Sequence, residues 1–117
     1  RHHTAAALRT MDGRVTTGVS LKARTGAADV HAEPVALARA CLDATGAEAV
    51  PATVVAVKPG DEGAWTEGPP DDAGTRVVSA CGQCREVLLA FGPEMAIVVA
   101  GDDGPEKWSL ASLPSGV

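Results

Sequence analysis

Two short segments of this 117-residue chain carry side chains able to do chemistry together: Val30-His31-Ala32-Glu33 and Ala80-Cys81-Gly82-Gln83-Cys84-Arg85. Each sits where a strand or loop enters a predicted helix. Imidazole and thiolate are borderline-soft donors that suit zinc, and three protein ligands (His31, Cys81 and Cys84) leave a fourth position open for water. The cysteines are three apart, which puts them on one helix face. They also occupy a predicted helix N-terminus, where the helix dipole favours thiolates. Arg85, adjacent to a ligand, is positioned to balance negative charge. Glu33 follows His31 by two residues, and in a first helical turn both side chains can reach one point. A carboxylate beside an activated water can take its proton and later deliver it to a leaving group.

The elements that must position these residues are readable from pattern. Residues 5–10 and 15–20 read as strands around Asp12-Gly13, a strong hairpin signal. Residues 21–30 are loop-like. A helix is expected from His31 to Thr45, with Asp29 as N-cap, Pro34 in the first turn and Gly46 as terminator. Val35, Leu37, Ala38, Cys41 and Leu42 make it apolar almost all round, so burial on more than one side is expected. Cys41 reads as a core residue, and Arg39 and Asp43 as an i,i+4 ion pair. Residues 52–57 form a buried strand. Residues 59–75, with four Gly, three Pro and five acids, form a long exposed loop. A short strand starts at Val77-Val78. A second helix spans Cys81 to Phe91 with Val87, Leu88 and Phe91 as its apolar set. Residues 95–100 form another strand. A turn at 101–104, a last strand begun by Trp108, and one helical turn from Leu110 to Leu113 complete the order β-β-α-β-α-β-β. That order predicts an α/β layered fold with a mixed sheet.

Composition sets the outer bounds. The length fits a single domain, 1–117. Apolar residues are 45% and charged residues 21%, which excludes a disordered chain. No apolar run reaches the roughly 20 residues of a membrane span, and the opening Arg1-His2-His3 lacks the apolar core of a signal peptide. Three cysteines make no disulfide framework, so a reducing cytoplasm is the expected setting. With 15 acids against 10 bases and three aromatics, the chain lacks the basic face and stacking platforms of a nucleic-acid binder.

His-Ala-Glu with a later Cys-x-x-Cys resembles the zinc-dependent cytidine deaminase superfamily. The likeness spans nearly the whole chain. Ala6-Ala7-Leu8, Asp12-Gly13-Arg14 and Thr17-Gly18 are similar to the family's first hairpin, and residues 81–85 to its second helix. Within the superfamily the chain looks most like the blasticidin S deaminases, through Thr17-Gly18-Val19, residues 84–89 and Leu113-Pro114-Ser115-Gly116. The resemblance implies a three-layer α/β/α sandwich with a mixed five-stranded sheet, and a homo-oligomer, tetramer or dimer. It implies Zn²⁺ held by His31, Cys81 and Cys84, with Glu33 as proton shuttle. The implied substrate is a free aminopyrimidine, gripped in part by the backbone N–H of Cys81.

Departures from the family bear on the substrate. Ser20 and Lys22 stand where cytidine deaminases carry the Asn and Glu that hold ribose, and Ala80 stands where a Pro precedes the first Cys. The ring-stacking Phe falls at His2. Losing a carboxylate and gaining an ammonium should weaken binding of an ordinary ribose. Lys22 and Arg76 are bases in segments flanking the expected pocket, able to meet an anionic group or equally to be solvated surface charges. Ser20, Lys22, Ala32, Arg76 and Ala80 are therefore the expected substrate contacts. Several readings stand beside this one. A Cys-x-x-Cys redox pair leaves His31 and Glu33 unexplained. A structural zinc site needs a fourth ligand, with only His2 or His3 to supply it. A non-catalytic zinc-binding module does not need Glu33. A nucleic-acid base-editing deaminase conflicts with the net charge of -5. Trp65 is either a lid on the substrate or an anchor for its own loop, and Trp108 is expected to pack.

Overall fold

The computed structural model describes residues 4–43, 50–58, 76–78 and 81–113. Its strands are β1 (Ala5–Thr10), β2 (Val15–Val19), β3 (Pro51–Lys58), β4 (Arg76–Val78), β5 (Ala96–Gly101) and β6 (Gly104–Ser109), with helices α1 (Ala32–Asp43) and α2 (Gly82–Phe91). Short 3-10 turns occupy Gly26–Ala28 and Leu110–Ser112. Five strands lie in the order β2-β1-β3-β5-β6, and β4 pairs with β3 off this path. Among the described residues only β3–β5 is parallel, so the sheet is mixed as the sequence predicts. The short β4 adds a sixth strand to the expected five. It takes the edge of β3 at Ala56–Lys58, while β5 takes it at Thr53 and Val54.

The hairpin forms where Asp12-Gly13 signals it. Gly13 adopts φ +89°, which a side chain disfavours, and the register runs from Ala5 opposite Val19 to Arg9 opposite Val15. Alternation then sorts the strands into two faces. Ala6, Leu8, Thr10, Thr16, Gly18, Val54, Ala56, Ile97 and Val99 are buried on one face. The helices supply Ala32, Ala36, Leu37, Ala40, Cys84 and Leu88 to the same core. The other face carries no helix among the described residues, so of the expected sandwich these residues show the sheet and one helical layer. Among the described residues no helix is long and apolar enough to cross a membrane.

The approach of α1 to the sheet is set at Gly18. A Cβ there would lie 2.6 Å from the Ala36 backbone nitrogen, 2.7 Å from the Ala32 carbonyl oxygen and 2.9 Å from the Val35 Cβ. The neighbouring Thr16 hydroxyl donates to the Ala36 carbonyl at 2.7 Å, a buried bond that fixes the helix along the strand.

Several sequence expectations change. Asp29 does not cap α1. Its carboxylate folds back onto its own loop, accepting the Ala23 N–H at 2.6 Å. The Arg39–Asp43 ion pair does not form among the described residues. Instead Arg39 reaches across to the Thr17 carbonyl at 3.1 Å, a partner fixed by tertiary packing. Nor is α1 buried all round: Leu42 is 83% exposed and Cys41 is also exposed, because only the stripe through Ala32, Ala36 and Ala40 meets the sheet. In α2 only Leu88 of the expected apolar trio is buried, while Val87 and Phe91 remain open to solvent. Trp108 lies near the end of β6 and is exposed, its indole N–H donating to Glu106 at 3.1 Å. Residues 44–49 and 59–75, hence the helix end at Thr45, Gly46 and Trp65, lie outside the described residues, as do His2 and His3.

Gly18→Ala is expected to cost about 1–3 kcal/mol, because the new methyl meets helix backbone rather than a flexible side chain. The control Gly26→Ala, whose Cβ meets nothing within 4 Å, should stay within about 0.5 kcal/mol of the parent. Urea unfolding of both variants is the check, and equal midpoints would refute the close approach.

Candidate active site

His31 and the two cysteines are 50 or more residues apart in sequence, and the fold brings them into contact. His31 Nδ1 lies 3.1 Å from Cys84 Sγ and 3.2 Å from Cys81 Sγ, and the two sulfurs are 3.4 Å apart. They form a group whose ligand atoms all lie within 4.8 Å of one another, suited to a metal ion. Local structure explains the convergence. Leu21 and Val30 exchange backbone bonds at 2.7 and 2.9 Å, closing the loop between them and delivering His31 to the start of α1. Cys81 is the N-cap of α2, and its sulfur accepts the Cys84 N–H at 3.4 Å. Both segments therefore meet at helix N-termini, where unpaired N–H groups and the dipole stabilise negative charge.

Burial divides the three donors. Cys84 is 2% exposed, while His31 and Cys81 are open to the cavity side. Burial pushes the Cys84 thiol up, with the nearby Glu33 and Cys81 adding to the rise. Such a thiol ionises readily only against a cation held beside it.

Glu33 is buried in the first turn of α1. Burial pushes its carboxyl above the usual carboxylate range, while its own backbone N–H and the charge of His31 pull it partly back. It lines a cavity of about 490 Å³ together with His31, Ala32, Cys81, Ser20 and Lys22. That volume suits a small organic ligand.

The remaining expected contacts fall out differently. Ser20 is buried on the cavity wall, its hydroxyl accepting the Thr4 N–H at 3.0 Å. Lys22 lines the cavity but is held by Asp29 at 3.2 Å, with its side chain about half exposed. The Ala23 N–H and Lys22 in turn hold the Asp29 carboxyl below its usual range. Arg76 belongs to β4, and Ala80 lies outside the described residues. Arg85 donates to the Leu110 and Leu113 carbonyls, tying α2 to the last 3-10 turn. Thr4, Lys58 and Val78 also line the cavity, and the sequence reading did not single them out. The only signal for Lys58 was its place at the end of a buried strand, since strand ends beside helix N-termini build sites in α/β folds.

No protein-family model matches the sequence. A blasticidin-S deaminase of Bacillus cereus is 31% identical over 115 residues, spanning 97% of this chain and 74% of that protein. Among solved structures, a cytidine deaminase from Burkholderia pseudomallei is similar with a TM-score of 0.66 at 25% identity, covering 100% of this chain and 83% of that one. The cytidine deaminase from Bacillus anthracis reaches a TM-score of 0.71 at 21% identity, covering 92% and 68%, and speaks for the fold alone. With a relative matched over nearly all of this chain and the His-Cys-Cys cluster assembled on the shared fold, the chain belongs to the cytidine deaminase superfamily.

Proposed function

We propose that the protein is a zinc-dependent hydrolytic deaminase of a free aminopyrimidine compound, cytidine-like or blasticidin S-like, that releases ammonia. One observation carries this reading: a His-Cys-Cys donor group meets a ligand-sized cavity through His31 and Cys81, and a buried carboxylate lines that same cavity. A tetrahedral zinc site with ordinary Zn–S and Zn–N bonds has donor–donor edges of about 3.6–3.8 Å. The edges of 3.1–3.4 Å here are slightly contracted. A small outward shift of each donor fits the ion, so the donor set suits zinc.

When bound, zinc supplies Lewis acidity and a water acidic enough to react near neutral pH. The remaining chemistry falls to the chain. Glu33 takes a proton from the attacking water as the new bond forms at C4 of the ring. It passes that proton to the ring nitrogen and then assists the departing amine. The C4–N bond breaks as the C4 oxygen is retained, so one water is consumed and one ammonia leaves. The buried first turn of α1 keeps the carboxyl fixed for both transfers. The backbone N–H of Cys81 is suited to grip the substrate ring. Ser20, Lys22, Ala32, Arg76 and Ala80 are the proposed substrate contacts, and Arg85 offsets ligand charge from its position beside Cys84.

The acidic balance of the chain supports a free small molecule over a nucleic acid. An assembly of two or four copies belongs to the same reading, supported by the exposure of Leu42 and Phe91 on the two helices. A single cytoplasmic domain is its expected form.

Glu33→Gln is expected to keep zinc and fold while lowering turnover by about 10²–10⁴-fold, the usual contribution of a general acid–base group. Ammonia release together with zinc content measures both, and a fully active variant would remove Glu33 from the chemistry. Cys84→Ala is expected to lower zinc content at least about tenfold. Stripping the parent with a chelator should abolish ammonia release, and added zinc should restore it. Undiminished zinc in the Cys84 variant would refute the ligand assignment.

A further inference from the structure

We infer that Lys58, at the end of β3, is the specificity-determining residue that selects substrates carrying an anionic group on the side away from the reacting ring. The inference rests on the deaminase reading of the cavity. It shifts the role of anion reader away from Lys22. The Lys22 ammonium is 3.2 Å from the Asp29 carboxylate, so an incoming anion meets a nearly neutral pair. Asp29 also accepts the Ala23 N–H, which fixes the pair as a clamp on the loop before His31.

Lys58 is placed differently. Register puts Val57 opposite Ala5, and so sets Lys58 beside Thr4. Thr4 is bonded to Ser20 through both its N–H and its carbonyl. Ser20, Thr4 and Lys58 thus form a row across three adjacent strand ends. Each continues the buried alternation of its strand, through Gly18, Ala6 and Ala56 respectively. The row faces the helix N-termini and forms one wall of the cavity. Among the described residues Lys58 makes no ion pair.

The ligand chemistry is an anionic group on the substituent of an aminopyrimidine, met by the Lys58 ammonium at the cavity wall.

The test measures binding rather than turnover, on zinc-loaded protein carrying Glu33→Gln. The probes are cytidine and cytidine oxidised at C5′ to the carboxylate. The parent should prefer the carboxylate. Adding Lys58→Gln should lower that preference by about tenfold or more, the loss expected for a hydrogen bond to a charged group. Lys22→Gln should lower it less. Rising salt should weaken the preference in the parent and hardly affect it in the Lys58 variant. An unchanged preference in Lys58→Gln, a larger loss in Lys22→Gln, or no binding of either probe overturns the inference. Ammonia release by the wild-type chain is scored separately. Preference without any ammonia overturns the deaminase reading alone, and ammonia with an unchanged preference overturns the role of Lys58 alone.

Discussion

Two helix N-termini must arrive at one point, and the rest of the structure is arranged around that requirement. His31 Nδ1 touches both sulfurs at 3.1 and 3.2 Å, although the residues come from separate elements joined through β3 and β4. The donor spacings therefore depend on where each helix starts. The position of α1 depends on its backbone lying against Gly18, with Thr16 bonded to the Ala36 carbonyl. The position of α2 depends on Leu88 and Cys84 in the shared core and on Arg85 holding the carbonyls of the final turn. Cys84 thus serves twice, as a core residue and as a donor. The donor cluster and the hydrophobic core are therefore built together, with the donor atoms at the rim.

The same coupling explains which parts were legible in the sequence. The hairpin was readable because Asp12-Gly13 and β-branched alternation are local signals, and the order of elements followed from breaks in period. The misread features all depend on what lies across space. Asp29 has the composition of an N-cap, but its loop offers nearer donors at Ala23 and Lys22. Arg39 has an acid at i+4, yet the Thr17 carbonyl on the edge strand holds it. Cys41, Leu42, Val87 and Phe91 have the composition of core residues and remain exposed. Helical periodicity shows that a face is apolar. It does not show whether a partner element reaches that face.

The site divides along the same line. His31, Glu33, Cys81 and Cys84 sit in two short segments with ligand-like spacing, so their chemistry was visible before any fold was known. Thr4 and Lys58 were not visible, because single residues at strand ends acquire a common purpose only through register. A one-residue slip of β3 against β1 would turn Lys58 to the other face of the sheet. Core residues Val54 and Ala56 forbid that slip, since it would expose them. The packing of apolar residues thus sets the direction in which a charged one points.

That link carries a consequence for how the pocket divides its labour. The wall made by helix starts presents a fixed donor cluster and a buried carboxyl, both tied to the core and intolerant of change. The opposite wall is made by strand ends and by the loop from Leu21 to Val30, which pack little hydrophobic surface. Lys22 and Asp29 neutralise each other there, and the pairing orders the loop at little net charge. On the proposed reading, substitutions on this wall alter which substituent is welcomed and leave the donors opposite in place. A deaminase scaffold can therefore keep one reaction while exchanging the group it reads. Ser20, Lys22 and Lys58 lie on the side where exchange costs least, and Cys84 and Glu33 lie where it costs most.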